Sequence, residues 1–255
     1  MCTMIRIGLI GCGNIGHIIA KYQDKFEILA LFDIVPEKSR ELAEICGGTA
    51  YEDFGAFISS EFDIVVEAAS VKAVRLFGEQ VLQNNKDLVI MSVGALADKA
   101  FLALLTGTAK KNHRKIYIPS GAIMGLDNIK TGQIAGINRL LLRTTKNPTS
   151  LGLKATERKL LFSGKSNECI KEFPKNVNVS VALGLAAGTD ADVELWVDPD
   201  VDRNIHEIFV EGKFGDAYIK VRNVPSPDNA ATSYLAALSI LTLLRNLENP
   251  LVIGT

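Results

Sequence analysis

A chain of 255 residues with 47% hydrophobic and 22% charged residues has the make-up of an ordinary globular protein, with room for two domains but not three. Its formal net charge of −1 supplies no positive field for a nucleic-acid backbone or an anionic membrane, so a small-molecule ligand is the expected partner. Cys2, Cys12, Cys46 and Cys169 include no C-x-x-C pair, which argues against a structural zinc site or a disulfide framework.

The chain opens with MCTMIRIGLIGCG, which lacks the basic start and cleavage site of a secretory signal, so no removable segment is expected there, and the cysteine usage leads to the expectation of a cytoplasmic protein. The apolar run at 4–10 reads as a strand that ends on glycines, and a helical pattern follows from Asn14 to Gln23. The alternation then repeats. Strands are predicted at 28–34, 63–69, 87–93 and 115–118, with helices at 36–46, 71–84 and 98–112 between them. Pro36 suits a first helical turn, and Gly47 and Gly48 end that helix. Strands separated by helices imply a parallel sheet covered on both faces.

After Pro119-Ser120-Gly121 the pattern changes. A helix near 125–136 leads into NRLLLRTT, and later come VELWVD, NIHEIFVEG and DAYIKVRNV, three strands joined by the short segments DPDVDR and GKFG. Short connections favour antiparallel neighbours. The expected class is therefore α/β, an N-terminal Rossmann-type doubly wound parallel sheet over 1–120 with a second α+β open-sheet domain over 121–228. Residues 229–255 are expected to be a C-terminal segment whose helix, from Ala230 to Leu247, is apolar on more than one face and packs between or back onto the domains. Its most apolar stretch, 234–244, is broken by Ser239 and Thr242 and is shorter than the roughly 18 residues of a membrane span.

Gly11, Gly13 and Gly16 form G-x-G-x-x-G at a strand-to-helix junction, with Asn14 and Ile15 opening the helix. Gly11 permits the tight turn, Gly13 lets a pyrophosphate approach, and Gly16 lets helix and strand pack closely. Asp33 lies 22 residues beyond Gly11, at the end of the second strand, where a carboxylate accepts the hydroxyls of an adenine ribose. The combination predicts a dinucleotide site. Asp33 disfavours a ribose 2′-phosphate, so NAD is expected, while Lys38 and Arg40 leave NADP open. Ala68, Ala69 and Ser70, with Val93, Gly94 and Ala95, end two further strands and have side chains small enough to admit the cofactor.

Three histidines occur. His17 and His113 read as structural or solvated, whereas His206 shares a strand face with Asn204 and Ile208, where an imidazole serves proton transfer or simply packs. The acidic run before it lacks the glycine and terminal glutamate of a calcium loop and reads as a turn, so no metal is expected.

Four stretches, IGLIGCGNIG, PSGAIMGLD at 119–127, FPKNVNVSVALGLA at 173–186 and DPDVDRNIHEI at 198–208, resemble the short archaeal and bacterial L-aspartate dehydrogenases over nearly the whole chain. The resemblance implies oxidation of L-aspartate to iminoaspartate by hydride transfer to NAD(P), and its supply to NAD biosynthesis or the breakdown of aspartate. It also implies His206 as the catalytic residue, acting as base, acid or polariser, and places Ala122 and Asn176 or Asn178, the latter favoured, beside the cofactor. Lys154, Arg158, Lys159 and Arg203 are available for the two substrate carboxylates. The site is expected where the strand ends of the first domain meet 119–127, 173–186 and 198–208, in a homodimer paired through the second domain's sheet. Dihydrodipicolinate reductases resemble the glycine loop and PSG segment, but their paired-histidine stretch is absent; sugar-type oxidoreductases carry Glu-Lys-Pro where Ser92-Val93-Gly94-Ala95 stands. A non-catalytic NAD sensor is the remaining alternative.

Overall fold

The computed structural model describes residues 4–173, 177–226 and 229–254. The chain forms two compact units, one of Met1–Pro119 with Ser239–Val252 and one of Ser120–Leu238 with Ile253–Thr255.

The first unit contains β1 (Ile5–Ile10), α1 (Asn14–Lys21), β2 (Phe26–Phe32), α2 (Pro36–Cys46), β3 (Thr49–Tyr51), α3 (Phe54–Ser59), β4 (Ile64–Glu67), α4 (Val71–Gln83), β5 (Asp87–Ile90), a 3₁₀ turn (Val93–Ala97), α5 (Lys99–Lys111) and β6 (Ile116–Tyr117). The six strands are parallel in the order β3-β2-β1-β4-β5-β6. The strand order therefore reverses between β1 and β4, and ligands of open α/β sheets bind at such a switch point, outside the carboxyl ends of the strands. Burial on both faces explains the continuous apolar runs: Ile7, Leu9, Ile28, Leu31, Val65, Val66, Val89 and Ile90 are all sealed from solvent. The expected strands at 63–69 and 87–93 are longer than β4 and β5, because Ala68–Ser70 form the turn into α4 and Val93–Ala95 belong to the 3₁₀ turn. Short β3 and α3 were not expected.

The second unit holds α6 (Leu126–Ala135), β7 (Ile137–Lys146), α7 (Pro148–Leu151), β8 (Lys159–Lys165), α8 (Ser166–Glu172), α9 (Val177–Ala187), β9 (Asp192–Val197), β10 (Ile205–Gly212), β11 (Gly215–Arg222), β12 (Pro225–Ser226), β13 (Asn229–Ser233) and the start of α10 (Tyr234–Leu247). Its five-stranded sheet runs β11-β10-β7-β9-β8. β10 and β11 form the expected antiparallel hairpin, but β9 and β10 are not neighbours. β7 lies between them, antiparallel to β10 and parallel to β9. Leu140, Leu141 and Leu142 of β7 are all buried, as suits a strand with a neighbour on each side. The link at 198–204 therefore crosses one strand.

Along one face of this sheet Leu140, Leu142, Val193, Leu195, Ile208 and Val210 pack with Ile129 of α6, Cys169 of α8 and Leu183 of α9. Each such side chain, fully buried, contributes on the order of 1.5–3 kcal/mol. The last helix begins at Tyr234 rather than Ala230, because 229–233 form β13 and pair with β12. Ala236, Ala237, Ile240, Leu241 and Leu244 are its buried apolar residues. Among the described residues no helix is long and apolar enough to cross a membrane.

Candidate active site

The glycine loop joins β1 to α1. Gly11 has φ +97°, a left-handed backbone, and a Cβ there would lie 2.7 Å from backbone atoms of Ala68 and Ala69. A Cβ on Gly16 would lie 2.7 Å from the Gly11 carbonyl oxygen. Gly13 is different, since nothing lies within 4 Å of a Cβ built on it. Two glycines shape the loop and the third leaves space above it. Gly13 is also the N-cap of α1 and brings no side-chain acceptor to the helix's first N–H groups, and a helix N-terminus of this kind directs backbone N–H groups at an anion. His17 hydrogen-bonds the Gly13 carbonyl through Nδ1 at 3.0 Å and serves the loop.

Asp33 stands just beyond β2. Its Oδ2 accepts from the Cys12 N–H at 2.8 Å and its Oδ1 from the Val35 N–H at 2.9 Å, which aims the carboxylate across the loop. Asp33, Gly11, Ala69, Ser70 and Lys72 line a cavity of about 120 Å³. A ribose bearing two free hydroxyls fits this acid. Arg40 is occupied by Glu37 and Glu52, while Lys72, which the sequence reading overlooked, lies in the cavity wall. The donor set, the uncrowded glycine and the acid fit a bound dinucleotide.

Glu67, at the end of β4, is a second residue that sequence reasoning missed. Oε1 accepts from the N–H groups of Ala69 and Ser70, each at 2.8 Å, and from the Ser92 hydroxyl; Oε2 accepts from the Ser92 N–H at 3.0 Å. One carboxylate thus ties the loops that follow β4 and β5. Burial holds its pKa above the usual carboxylate range, opposed by those hydrogen bonds. Ser70 also caps α4, accepting from the Ala73 N–H.

In the second unit the helix-covered face of the sheet turns polar toward one end. Its registered rows run Ile219, Ile208, Leu142, Val193, then Val221, His206, Thr144, Leu195. One further step aligns Asn223, Asn204, Lys146 and Val197, and the Asn223 N–H donates to the Asn204 carbonyl at 2.9 Å. His206 is 6% exposed, and its Nδ1 lies 3.0 Å from the Thr144 hydroxyl. Burial, with a smaller push from Lys146, lowers its pKa to about 3, so the ring is neutral at physiological pH instead of titrating near it. Beyond this row a cavity of about 390 Å³ opens, lined by Asn147, Arg203, Asn204, Asn223 and Ser233 among others. His206 does not line it; Asn204, two residues before it on the same face, does.

Asn223 clamps the neighbourhood. Its Nδ2 donates to the Ala122 carbonyl at 3.0 Å and its Oδ1 accepts from the Ser233 hydroxyl. Gly121 and Gly125, with φ +66° and +84°, explain the PSGAIMGLD spacing around Ala122. Asn178 lies in the first turn of α9 and is exposed, whereas Asn176 lies outside the described residues. The acidic run is a turn: Asp198 accepts from the Asp200 N–H and pairs with Arg158, and Asp202 pairs with Arg203 and Arg222. Lys154 and Lys159 are exposed. Among the described residues no three His, Cys, Asp or Glu side chains gather as metal ligands would.

Residues 127–247 match the family model described as aspartate dehydrogenase, C-terminal, and residues 7–119 match the NAD binding domain of homoserine dehydrogenase. An L-aspartate dehydrogenase of Methanospirillum hungatei is 62% identical over 252 residues, covering 99% of this chain and all of its own. The crystal structure of an aspartate dehydrogenase from Thermotoga maritima superposes with a TM-score of 0.86 at 31% identity, covering 99% of this chain and 100% of that one. A biliverdin reductase from Synechocystis, solved with biliverdin and NADP+, shares the fold alone, with a TM-score of 0.53 and 13% identity over 99% of this chain and 94% of that one.

Proposed function

Because the chain belongs to the L-aspartate dehydrogenase family, we propose that His206 is the group that handles the substrate's amine proton and that the glycine loop with Asp33 holds the dinucleotide. The chain oxidises L-aspartate at its Cα–N bond with NAD(P) as oxidant. A nicotinamide held by the glycine loop and Asp33 would supply the acceptor for the hydride of Cα. A hydride leaves Cα only when the nitrogen can share its electron pair, so the ammonium must first lose a proton.

The observation that carries the reading is the place of His206: a neutral imidazole at the polar end of an otherwise apolar face, with Nδ1 fixed by Thr144. When Nδ1 carries the hydrogen and donates it to the Thr144 hydroxyl, the lone pair sits on Nε2 and faces a ligand as a base. The ring's low basicity arises from burial and, to a lesser degree, the Lys146 charge, and the negative charge of an entering dicarboxylate favours its protonated form. The same base can activate water against the imine, giving oxaloacetate and ammonia. Ala122, Asn178 and Asn176 are proposed to lie beside the cofactor, with Asn223 holding Ala122 in place.

The test is steady-state oxidation of L-aspartate followed by NADH formation, comparing the unmodified chain with His206→Asn. Loss of roughly 10²–10⁴-fold in kcat with NADH affinity intact is expected. Unchanged kcat removes His206 from the reaction, and turnover of another amino acid without L-aspartate removes the substrate.

We also propose a homodimer paired through the other face of the second sheet. There Arg143 pairs with Glu194 and lies over Phe209, Arg158 lies over Trp196 at 4.6 Å, and Leu160 and Tyr218 remain exposed. Aromatic and arginine side chains of this kind are enriched in interfaces.

A further inference from the structure

We propose that Lys146, the last residue of β7, binds a carboxylate of the substrate. The proposal deepens the aspartate reading and rests on it. Lys146 follows Thr144 by two residues, so strand alternation puts it on the face that carries His206, one row nearer the strand ends. Its cross-strand neighbours are Val197 on one side and Asn204 on the other, and neither is an anion. Asp198, next along from Val197, turns its carboxylate to the Asp200 N–H and to Arg158.

Among the described residues the Lys146 ammonium has no hydrogen-bond or ion-pair partner. The other candidate cations of this unit are satisfied or solvated. Arg143, Arg158, Arg203 and Arg222 are ion-paired, and Lys154 and Lys159 are exposed. Burial alone pushes the Lys146 pKa down, the mark of a desolvated charge with nothing opposite it. A cation so placed is destabilising unless an anion arrives, and a dicarboxylate beside His206 brings one. Asn204 lines the cavity beyond this row, whose wall also holds Asn147, Asn223 and the paired Asp202 and Arg203. Lysine binds as a point charge and lacks the two-pronged fit of arginine, so the site reads charge more than carboxylate orientation.

The experiment compares Lys146→Met and Lys146→Arg with the unmodified chain. The readouts are KM and kcat for L-aspartate, KM for NAD, and the rise in melting temperature on adding succinate, a dicarboxylate with no amine, in the presence of NADH. For Lys146→Met the KM for L-aspartate is expected to rise about 10- to 100-fold, with the KM for NAD unchanged and the succinate shift lost. Lys146→Arg should restore part of both. L-Asparagine tells which carboxylate is held: an equal loss of kcat/KM for aspartate and asparagine assigns the one both share, and a loss confined to aspartate assigns the side chain's. A fall in kcat at unchanged KM and unchanged succinate shift would overturn the proposal, because that is how a proton-transfer group behaves. Succinate binding is read without turnover, so it stands or falls for Lys146 even if L-aspartate proves not to be the substrate. Should Lys146→Met not fold, the succinate shift and KM of Lys146→Arg and Lys146→Gln decide.

Discussion

His206 carries a consequence for stability as well as for turnover. Its folded pKa of about 3 lies below the ordinary 6.5, so between those values the unfolded chain binds a proton that the folded chain refuses. Its contribution is therefore fully present above pH 6.5 and is lost as pH falls toward 3. The unfolding free energy of the unmodified chain should drop on acidification from pH 7 to 4 more steeply than that of His206→Asn, by at most about 1.4 kcal/mol per pH unit. Denaturant titrations at four pH values check this, and parallel curves would show that the ring is solvated in the folded chain. Carboxylates contribute their own slope to both proteins, and the difference between the curves removes it.

At the scale of the element, the loop between β1 and α1 separates two uses of glycine. Gly11→Ala forces a left-handed backbone and a clash with Ala68 and Ala69, so it should lower stability by about 1–3 kcal/mol and weaken NAD binding as a by-product. Gly13→Ala meets no atom of the protein and should leave the unfolding midpoint nearly unchanged while NAD affinity falls. Calorimetric titration with NAD beside thermal unfolding reads both effects, and full NAD affinity in Gly13→Ala would take the pyrophosphate away from this loop. Apart from the short β3 and α3, the elements of the first unit were legible in sequence because alternating apolar runs and helical patterns report a doubly covered parallel sheet directly. α9 was not, because Val177–Ala187 is apolar nearly throughout and offers no stripe to recognise. Thr144 and Lys146 were illegible for another reason. They are ordinary polar residues at the end of a strand, and only a pairing register spanning 62 residues brings Thr144 to His206. Glu67 was hidden likewise, since Ser92, the residue that explains it, lies one strand away.

For the whole molecule, the association proposed for the second sheet predicts a particle of twice the 27.6 kDa chain mass. Light scattering at micromolar concentration should give the dimer, and Leu160→Glu, which places a charge at an exposed apolar position of that face, should shift the mass toward the monomer. A monomeric unmodified chain would overturn the pairing.

α10 bears on how the molecule is made. From Ser239 onward it belongs with the first 119 residues, and Arg245 clasps Asp24 through two hydrogen bonds across 221 positions of sequence. A ribosome releases the chain from its amino end, and early domains generally begin to fold while later ones are still being synthesised. Here the first unit stays unfinished until the segment at 239–252 has been synthesised. Until then the first unit lacks the part of its core that Ile240, Leu241 and Leu244 supply, and that interval is when the growing chain gains most from a bound chaperone.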